Sequence, residues 1–309
     1  MNPLRLSVHD LIPPILRRRH EYAATRRLVR RYERGQEDPW SPAYYAYRHR
    51  RIAEYVADPA LVSRIAFGGS LDSGHGRALD ERSVELPWAL GRLGSLPQGA
   101  RVLDAGSALN HSFVLDAPVF SRLDLNIATL RPERDCFWRR GISYLFADLR
   151  ALPIVDAHYD AIVSISTLEH VGFDNALFGA ATQPTIADSE AHSEAIRELA
   201  RVLRPGGELL FSVPFGRYER HPTFQQFDQP ALARAIVAFG PSTTRQVDFF
   251  RYTASGWIRS DAAACADAEY VPWIMQTLSD REPRFPKQGD GAVAARAVAC
   301  VTLSKPGQS

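Results

Sequence analysis

A short segment about one third of the way along the chain combines an apolar run, a carboxylate and small residues. It reads Arg101-Val-Leu-Asp-Ala-Gly-Ser-Ala-Leu-Asn110, so that Gly106 and Ser107 follow Asp104 closely. Small residues at the carboxyl end of a strand let the backbone approach a ligand. A carboxylate there would repel the pyrophosphate of a dinucleotide, and the glycine-rich pattern of dinucleotide sites is absent. The segment therefore predicts a cofactor loop that prefers a cationic ligand.

The elements that must position this loop follow from the pattern of the chain after residue 99. Short apolar runs rich in branched residues alternate with helical segments, which is typical of a parallel sheet covered by helices. The predicted parallel strands are residues 101–105, 119–125, 144–147, 159–165 and 208–214, and residues 189–203 are a predicted helix. Two further strands, 245–253 and 295–304, would close one edge as an antiparallel pair. We expect an α/β, Rossmann-like, seven-stranded and mostly parallel sheet with helices on both faces.

Five segments in this order resemble the class I S-adenosylmethionine-dependent methyltransferases, especially their type 11 group, over about residues 77–304. The most specific segment is Tyr159-Asp-Ala-Ile-Val-Ser-Ile-Ser-Thr-Leu-Glu-His-Val171, which matches the family text FDxVxxxxxLEHV. The first strand matches VLDxGxGxG up to Gly106 and departs from it at residues 107–110. The resemblance implies S-adenosyl-L-methionine as the cofactor.

The resemblance also implies which residues bind the methionine end of the cofactor. These residues share positions at the ends of the first and fourth strands and are Asp104, Gly106, Ser107, Asn110, Ser164 and Ile165. Asp104 would hold the methionine amino group, and Gly106 would let the cofactor come close to the backbone.

Three further acidic or apolar positions are expected around the nucleoside. Asp124 is predicted to accept from both ribose hydroxyls, about 20 residues after the first loop. A rival alignment over residues 128–133 places Thr129 in that position, and a single hydroxyl is the weaker acceptor. By resemblance, Asp148 would accept from the adenine amino group and Leu149 would offer its N–H. Asp148 as a simple cap of the following turn is the alternative.

A base is needed if the methyl acceptor is a hydroxyl, and histidine titrates near neutral pH. The candidates are His111, His170 and His221. We predict His170 or His221 as the catalytic residue, because His111 would be covered by the cofactor. No metal site is predicted, since Ser166 replaces the first glutamate of the metal-binding text used by some relatives of this fold.

Acceptor recognition is expected from loops inserted into a methyltransferase domain of residues 73–305. The insertions are residues 172–188, 216–228 and 255–291. The second contains aromatic, amide and histidine side chains suited to a sugar ring. Upstream, residues 73–81 would form either a lid over the cofactor or a plain linker.

The predicted function is O-methylation of a small molecule or a glycan precursor. The whole chain is loosely similar to methyltransferases of bacterial surface-glycan pathways. A non-catalytic module that binds the same cofactor is the alternative, because the glycine loop is eroded. A nicotinamide-dependent oxidoreductase is disfavoured by Asp104 and by the missing glycine pattern.

Composition limits the compartment and the partners. The chain has 309 residues, 45% of them apolar, and its 37 basic residues nearly balance 35 acidic ones, so we expect no nucleic-acid partner. Three widely spaced cysteines exclude a disulfide scaffold and favour a reducing, cytoplasmic location. No apolar run approaches the ~18 residues of a membrane span.

Residues 1–72 are predicted to be a basic helical extension. Nine arginines precede residue 35, among apolar positions at roughly helical spacing. Such a helix could make weak contact with an anionic membrane surface, and a solvated helix beside the core domain is the alternative. The oligomeric state is left open by the sequence.

Overall fold

The protein is described by a computed structural model over residues 14–35, 39–174, 188–271 and 294–307. In chain order its strands are β1 (Arg101–Ala105), β2 (Asp124–Thr129), β3 (Ser143–Phe146), β4 (Tyr159–Ile165), β5 (Leu203–Pro214), β6 (Glu219–Arg220), β7 (Gln225–Gln226), β8 (Thr244–Thr253), β9 (Gly256–Ser260), β10 (Tyr270–Val271), β11 (Ala294–Ala295) and β12 (Ala297–Ser304). Eight of them form one sheet in the order β3-β2-β1-β4-β5-β12-β8-β9. β6 pairs with β7, and β10 pairs with β11.

The helices in chain order are α1 (Pro14–Glu33), α2 (Pro42–Val56), α3 (Pro59–Ala66), α4 (Arg82–Leu93), α5 (Ser112–Leu115), α6 (Ala191–Val202), α7 (Gln229–Ala238) and α8 (Ala262–Cys265). Local chemistry fixes several of their starts. Ser41 accepts from the Tyr44 N–H before α2, and Asp58 accepts from two N–H groups of α3, each just ahead of a proline that begins the helix. Within the described ranges, no helix is both long and apolar enough to cross a membrane.

The sheet confirms the expected Rossmann-like, mostly parallel architecture. Strands β1 to β5 are mutually parallel where they pair, and β12 is antiparallel to both β5 and β8. The prediction of seven strands was wrong by one, because β9 adds an eighth strand at the edge. It returns from β8 through a tight hairpin in which Gly256 takes a positive φ of 102°.

The predicted second strand, residues 119–125, was also wrong. Residues 118–121 form a 3-10 turn that begins at Pro118, and β2 runs from Asp124 to Thr129 instead. Burial explains why the strand includes Ile127 and not Val119. Ile127 is fully buried in the sheet, whereas Val119 only packs against the edge of the core. Asp124 therefore pairs with Arg101, at the amino end of the strand.

The N-terminal helices share a hydrophobic core with one face of the sheet. Ile52 of α2 and Ile65 of α3 are fully buried in the same cluster as Trp88 of α4 and Val102 of β1. The cluster on the other face holds residues of α6 and α7 with β4, β5 and β12. The helices α2 and α4 are thus packed where they can form a wall beside the carboxyl ends of the strands.

Candidate functional site

A cavity of about 970 Å³ lies over the carboxyl ends of the parallel strands. Its strand side is formed by residues at or after the carboxyl ends of β1, β2, β3 and β4, namely 106–108, 129–134, 147–150, 165–167 and 169–174. The strand order reverses between β1 and β4, and open α/β sheets bind ligands at such a switch point. Its helix side is formed by Trp40, residues of α2 and the segment 80–82.

Asp104 holds the loop that follows β1. Its side chain is fully buried and accepts from the N–H groups of Ala108 (3.2 Å) and Leu109 (2.8 Å). Burial raises the pKa of Asp104 to about 7. Asp104 is not among the residues of the cavity wall, and its observed contacts hold the loop backbone, so its contact with a ligand amino group stays a prediction.

Gly106 and Ser107 form the wall of the cavity at the end of β1. Both have positive φ, 116° for Gly106 and 65° for Ser107. A Cβ on Gly106 would overlap the Thr167 side chain, so glycine is needed for contact between the β1 and β4 loops. The Ser107 hydroxyl is buried and has no hydrogen-bond partner in the described part of the chain.

Two residues expected to touch the cofactor lie behind the wall instead. Asn110 donates to the Asp135 carbonyl (3.0 Å) and accepts from the Tyr144 hydroxyl (2.8 Å). Ser164 donates to the Ala105 carbonyl (2.9 Å) and is fully buried between β1 and β4. Their polar groups are used inside the protein, and neither residue lines the cavity.

The end of β4 enters the cavity through Ile165 and Ser166. Ser166 has a positive φ of 40°, and its hydroxyl donates to Oε1 of Glu85 (2.7 Å). Non-glycine residues in this region store strain that the surrounding structure must hold, and they cluster at functional sites. Ile165 lies where the sequence predicted it.

The end of β2 carries a carboxylate that the sequence analysis did not choose. Thr129 and Glu133 both line the cavity, and the Thr129 hydroxyl donates to Glu133 Oε1 (3.3 Å). Asp124 lies at the opposite end of the same strand and outside the cavity wall, so its predicted ribose role is corrected. The rival alignment over residues 128–133 was the signal that placed these residues at the strand end.

The end of β3 brings Asp148 and Leu149 to the cavity, as expected. Leu149 is buried, and Asp148 pairs with Arg150 at 2.6 Å. The Arg150 guanidinium lowers the pKa of Asp148, which keeps it a hydrogen-bond acceptor. The Arg150 N–H donates to Asp148 (2.9 Å), which is the turn-capping use that was the alternative, and the contact of Asp148 with the adenine amino group stays a prediction.

The candidate histidines differ in position. His170 lines the cavity, and its Nδ1 donates to the Thr223 carbonyl (2.8 Å), which leaves Nε2 as the basic nitrogen. Burial lowers the pKa of His170 to about 4. His111 also lines the cavity, and burial lowers its pKa to about 4. His221 is outside the wall, stacked on Phe224 with ring centroids 4.4 Å apart.

The helix side contains a cluster of buried charges with no counterpart in the sequence predictions. Arg48 of α2 pairs with Asp80 at 2.5 Å, and Arg82 pairs with Glu85 of α4 and lies 3.8 Å from Glu81. These residues precede β1 and match no motif, so only their convergence in the fold identifies them. Residues 80–82 are part of the wall, at the end of the segment considered as a lid.

Glu85 joins this cluster to the sheet. Its Oε1 accepts from the hydroxyls of Ser166 and Ser212, both at 2.7 Å, and its side chain is fully buried. The carboxylate therefore connects α4 with the ends of β4 and β5. It holds Ser166 in its strained conformation at the cavity wall.

Two glutamates of the wall keep an oxygen without a partner. Oε2 of Glu81 and Oε2 of Glu169 are buried and have no hydrogen-bond partner among the described residues. Burial raises the pKa of both carboxyls. In the described ranges, no group of three or more His, Cys, Asp or Glu side chains is placed to hold a metal ion.

The predicted acceptor insertions are only partly described. Residues 175–187 of the first and 272–291 of the third lie outside the described residues. The second, 216–228, folds as the β6–β7 hairpin, in which Gln225 and Gln226 are buried. Tyr270 is the one residue of the described part of the third insertion that lines the cavity.

The chain is similar to known methyltransferases over part of its length. A family model described as a methyltransferase domain matches residues 118–211. The ubiquinone/menaquinone biosynthesis C-methyltransferase UbiE of Shewanella frigidimarina is 27% identical over 178 residues, which cover 55% of this chain and 60% of that protein. UbiE of Pseudomonas putida (strain GB-1) is 27% identical over 176 residues, 52% of this chain and 59% of that protein. The chain thus spans about three fifths of the length of these curated relatives.

Among solved structures, one similar chain is the 1,6-didemethyltoxoflavin-N1-methyltransferase of Burkholderia thailandensis, bound to 1,6-didemethyltoxoflavin and S-adenosylhomocysteine. It is 19% identical, with a TM-score of 0.40 and coverage of 93% of this chain and 90% of that one. The family match spans β2 to β5 of the sheet described above. Residues 118–211 therefore match a methyltransferase domain, and the chain is similar to curated methyltransferases over this part of its length.

Proposed function

We propose that the protein transfers the methyl group of S-adenosylmethionine to an oxygen of a small molecule or a glycan precursor. The observation that carries this proposal is one continuous cavity of about 970 Å³ with two chemically different sides. This volume is near the upper end of the ~300–1,000 Å³ usual for ligand sites, which leaves room for a cofactor and a small acceptor. The strand side is suited to the cofactor, and the helix side is suited to the acceptor.

The residues on the strand side fit the cofactor. The unpartnered, buried hydroxyl of Ser107 requires a polar ligand atom, and it faces the methionine end in this proposal. Thr129 and Glu133 would take the ribose hydroxyls, and Asp148 with Leu149 would take the adenine. The bound cofactor supplies an electrophilic methyl group on a positively charged sulfur.

The protein itself contributes mainly position. Methyl transfer requires an in-line approach of the acceptor, and holding two reactants in that geometry lowers the barrier without further chemistry. His170 lies in the cavity wall, beside the space proposed for the acceptor. Its pKa of about 4 makes it a weak base at neutral pH. His221, the other predicted base, could act only if it moved into the cavity.

The methylated atom distinguishes this proposal from the activity named for the relatives, which are C-methyltransferases. Buried carboxyls beside the acceptor space favour a hydroxyl acceptor, since they can accept its hydrogen bond.

To test which atom is methylated, purified protein would be incubated with methyl-labelled S-adenosylmethionine and extracts of small molecules and glycan precursors. We expect a label on oxygen in the product, read by NMR. Label on carbon would contradict O-methylation, and cofactor binding without any transfer would support the non-catalytic alternative.

The compartment and partners follow from the same proposal. We propose a reducing, cytoplasmic location with a small-molecule or glycan substrate and no nucleic-acid partner. Cys136 is exposed, Cys265 and Cys300 are buried, and all three are free thiols. Cell fractionation with thiol labelling tests the location. Recovery from an oxidising compartment would contradict it.

A further inference from the structure

Glu81 of the helix side and Glu169 of the strand side are two carboxylic side chains of the cavity wall that the charge cluster does not satisfy. Both line the cavity, with only 9% and 3% of their surface exposed. Oε2 of each is buried without a hydrogen-bond partner in the described part of the chain. A buried polar atom without a hydrogen-bond partner is destabilising, because its desolvation is not offset. Two such atoms in one cavity wall therefore indicate a ligand that donates hydrogen bonds to both.

The other charges of the cluster limit what this ligand can be. Asp80 is paired with Arg48, and Glu85 is paired with Arg82. The two carboxyl groups left over, those of Glu81 and Glu169, would repel an anion. A neutral ligand with hydroxyl groups avoids this penalty and supplies the missing donors.

Aromatic rings complete the same wall. Trp40, Tyr45 and Tyr270 line the cavity, and the Trp40 and Tyr45 rings are 6.1 Å apart. Aromatic side chains give an apolar body for the C–H face of a ring, whereas carboxylates take its hydroxyls. A hexopyranose carries hydroxyls on several ring carbons and so has donors for both glutamates.

We propose that Glu81 and Glu169 form an acceptor subsite for a neutral molecule with two neighbouring hydroxyl groups, of the hexopyranose class, and that Glu81 takes the proton of the hydroxyl that is methylated. The inference rests on the proposed function and names its acceptor class. Glu169 positions the second hydroxyl. Glu81 is assigned the proton because burial raises its pKa to about 8, which makes it a stronger base than an ordinary carboxylate, while Nη1 of Arg82, 3.8 Å from its Oε1, favours the ionised form.

The atoms and electrons of the step balance within the two reactants and Glu81. An oxygen lone pair forms the new O–C bond to the methyl carbon, and the C–S bond breaks with its electron pair remaining on sulfur. The sulfonium becomes a neutral thioether. The hydroxyl proton passes to the Glu81 carboxylate, which becomes a carboxylic acid and later releases the proton to water.

The test uses the full chain with three sets of probes and three variants. Neutral methyl hexopyranosides, matched 2-amino-2-deoxy sugars and hexuronic acids would be offered to protein saturated with S-adenosylhomocysteine, and binding read by saturation-transfer NMR. Transfer of tritiated methyl from S-adenosylmethionine gives turnover. The variants are Glu81→Gln, Glu169→Gln and, as a control, Glu54→Gln, an exposed glutamate on α2 that pairs with arginines of the same helix.

We expect the neutral sugars to bind and to accept the methyl group. Glu169→Gln should weaken sugar binding about tenfold, and Glu81→Gln should lower turnover by ~10² or more. Glu54→Gln should match the wild type, and all variants should keep their affinity for S-adenosylhomocysteine.

Three results would overturn the inference: binding of the amino sugars or uronic acids alone, no binding of any sugar, or unchanged turnover in both cavity variants. Thermal unfolding of each variant separates loss of function from loss of fold. Failure of the wild type to bind S-adenosylhomocysteine would instead refute the proposed function itself. Calorimetry with S-adenosylhomocysteine alone therefore distinguishes the two failures.

Discussion

Gly106 shows how a single residue shapes the cavity wall. Its φ of 116° is unfavourable for a side chain, and a Cβ would also overlap Thr167. We expect Gly106→Ala to lower the free energy of unfolding by about 3 kcal/mol, from backbone strain and overpacking together. Urea unfolding measures this change.

Gly99 is the matched control for this substitution. Its φ is also positive, at 77°, but a Cβ there would meet nothing within 4 Å. Gly99→Ala should therefore cost only the backbone part, about 1 kcal/mol. Equal losses in the two variants would show that contact with Thr167 does not matter.

His170 makes stability depend on pH. Its folded pKa is about 4 against 6.5 for the unfolded chain, because burial disfavours the charged ring. The unfolded state therefore binds more protons between these values, and stability rises with pH across this window. Between pH 4 and pH 7, we expect the free energy of unfolding of the wild type to rise by up to about 3 kcal/mol more than that of His170→Gln. Parallel curves from pH 4 to 7 would contradict a buried, neutral His170.

Residues whose role depends on local sequence could be predicted, whereas those that depend on packing could not. Gly106, Leu149 and Ile165 lie in the cavity wall because each follows a strand whose end the motif fixes. Asn110 and Ser164 have the right types at the right spacing, but their polar groups bond to the protein interior. Which way a side chain points behind a loop is not encoded in the motif.

At the scale of elements, α4 is tied to the antiparallel edge of the sheet by Asp248 of β8. This buried carboxylate accepts from Trp88 Nε1 of α4 (3.2 Å) and from Arg259 of β9 (2.6 Å). We expect Asp248→Ala to lower the free energy of unfolding by about 3–5 kcal/mol, because buried donors lose their acceptor. Denaturant unfolding measures it.

Asp267 provides the control for this contact. Asp267 pairs at 2.8 Å with Arg251 of β8, the strand that also carries Asp248. The Asp267 side chain is 71% exposed. Exposed pairs contribute little, so Asp267→Ala should leave stability almost unchanged. A comparable loss in both variants would mean that burial of Asp248 is not what stabilises α4.

Elements with a strong local signal agree with the sequence predictions. β1 and β4 have the predicted bounds, since all but one residue of each strand is buried and most of those are apolar. β2 begins five residues later than expected because Pro118 starts a 3-10 turn that uses part of the apolar run. That shift alone moved the ribose prediction to Asp124, at the wrong end of the strand.

At the scale of the molecule, the cavity exists because two parts of the chain meet. The sheet supplies loops at its switch point, and the segment before β1 supplies the charged wall. No motif in the sequence joins these parts, so the acidic residues of the helix side could not be predicted.

The basic N-terminal helix α1 contacts the core, since Val29 is buried in it and Tyr32 packs against it. Membrane contact by the basic segment stays a prediction.

The most direct measurement is calorimetric titration of S-adenosylhomocysteine into the wild type and two variants, Glu133→Gln and Asp124→Asn. Asp124 begins β2 and Glu133 follows its other end, and only Glu133 lines the cavity. We expect the wild type to bind with a Kd below ~1 mM, Glu133→Gln to weaken binding about tenfold through lost charge-assisted hydrogen bonds, and Asp124→Asn to bind as the wild type does. No binding by the wild type, or a loss confined to Asp124→Asn, would contradict a cofactor site at the carboxyl ends of the strands.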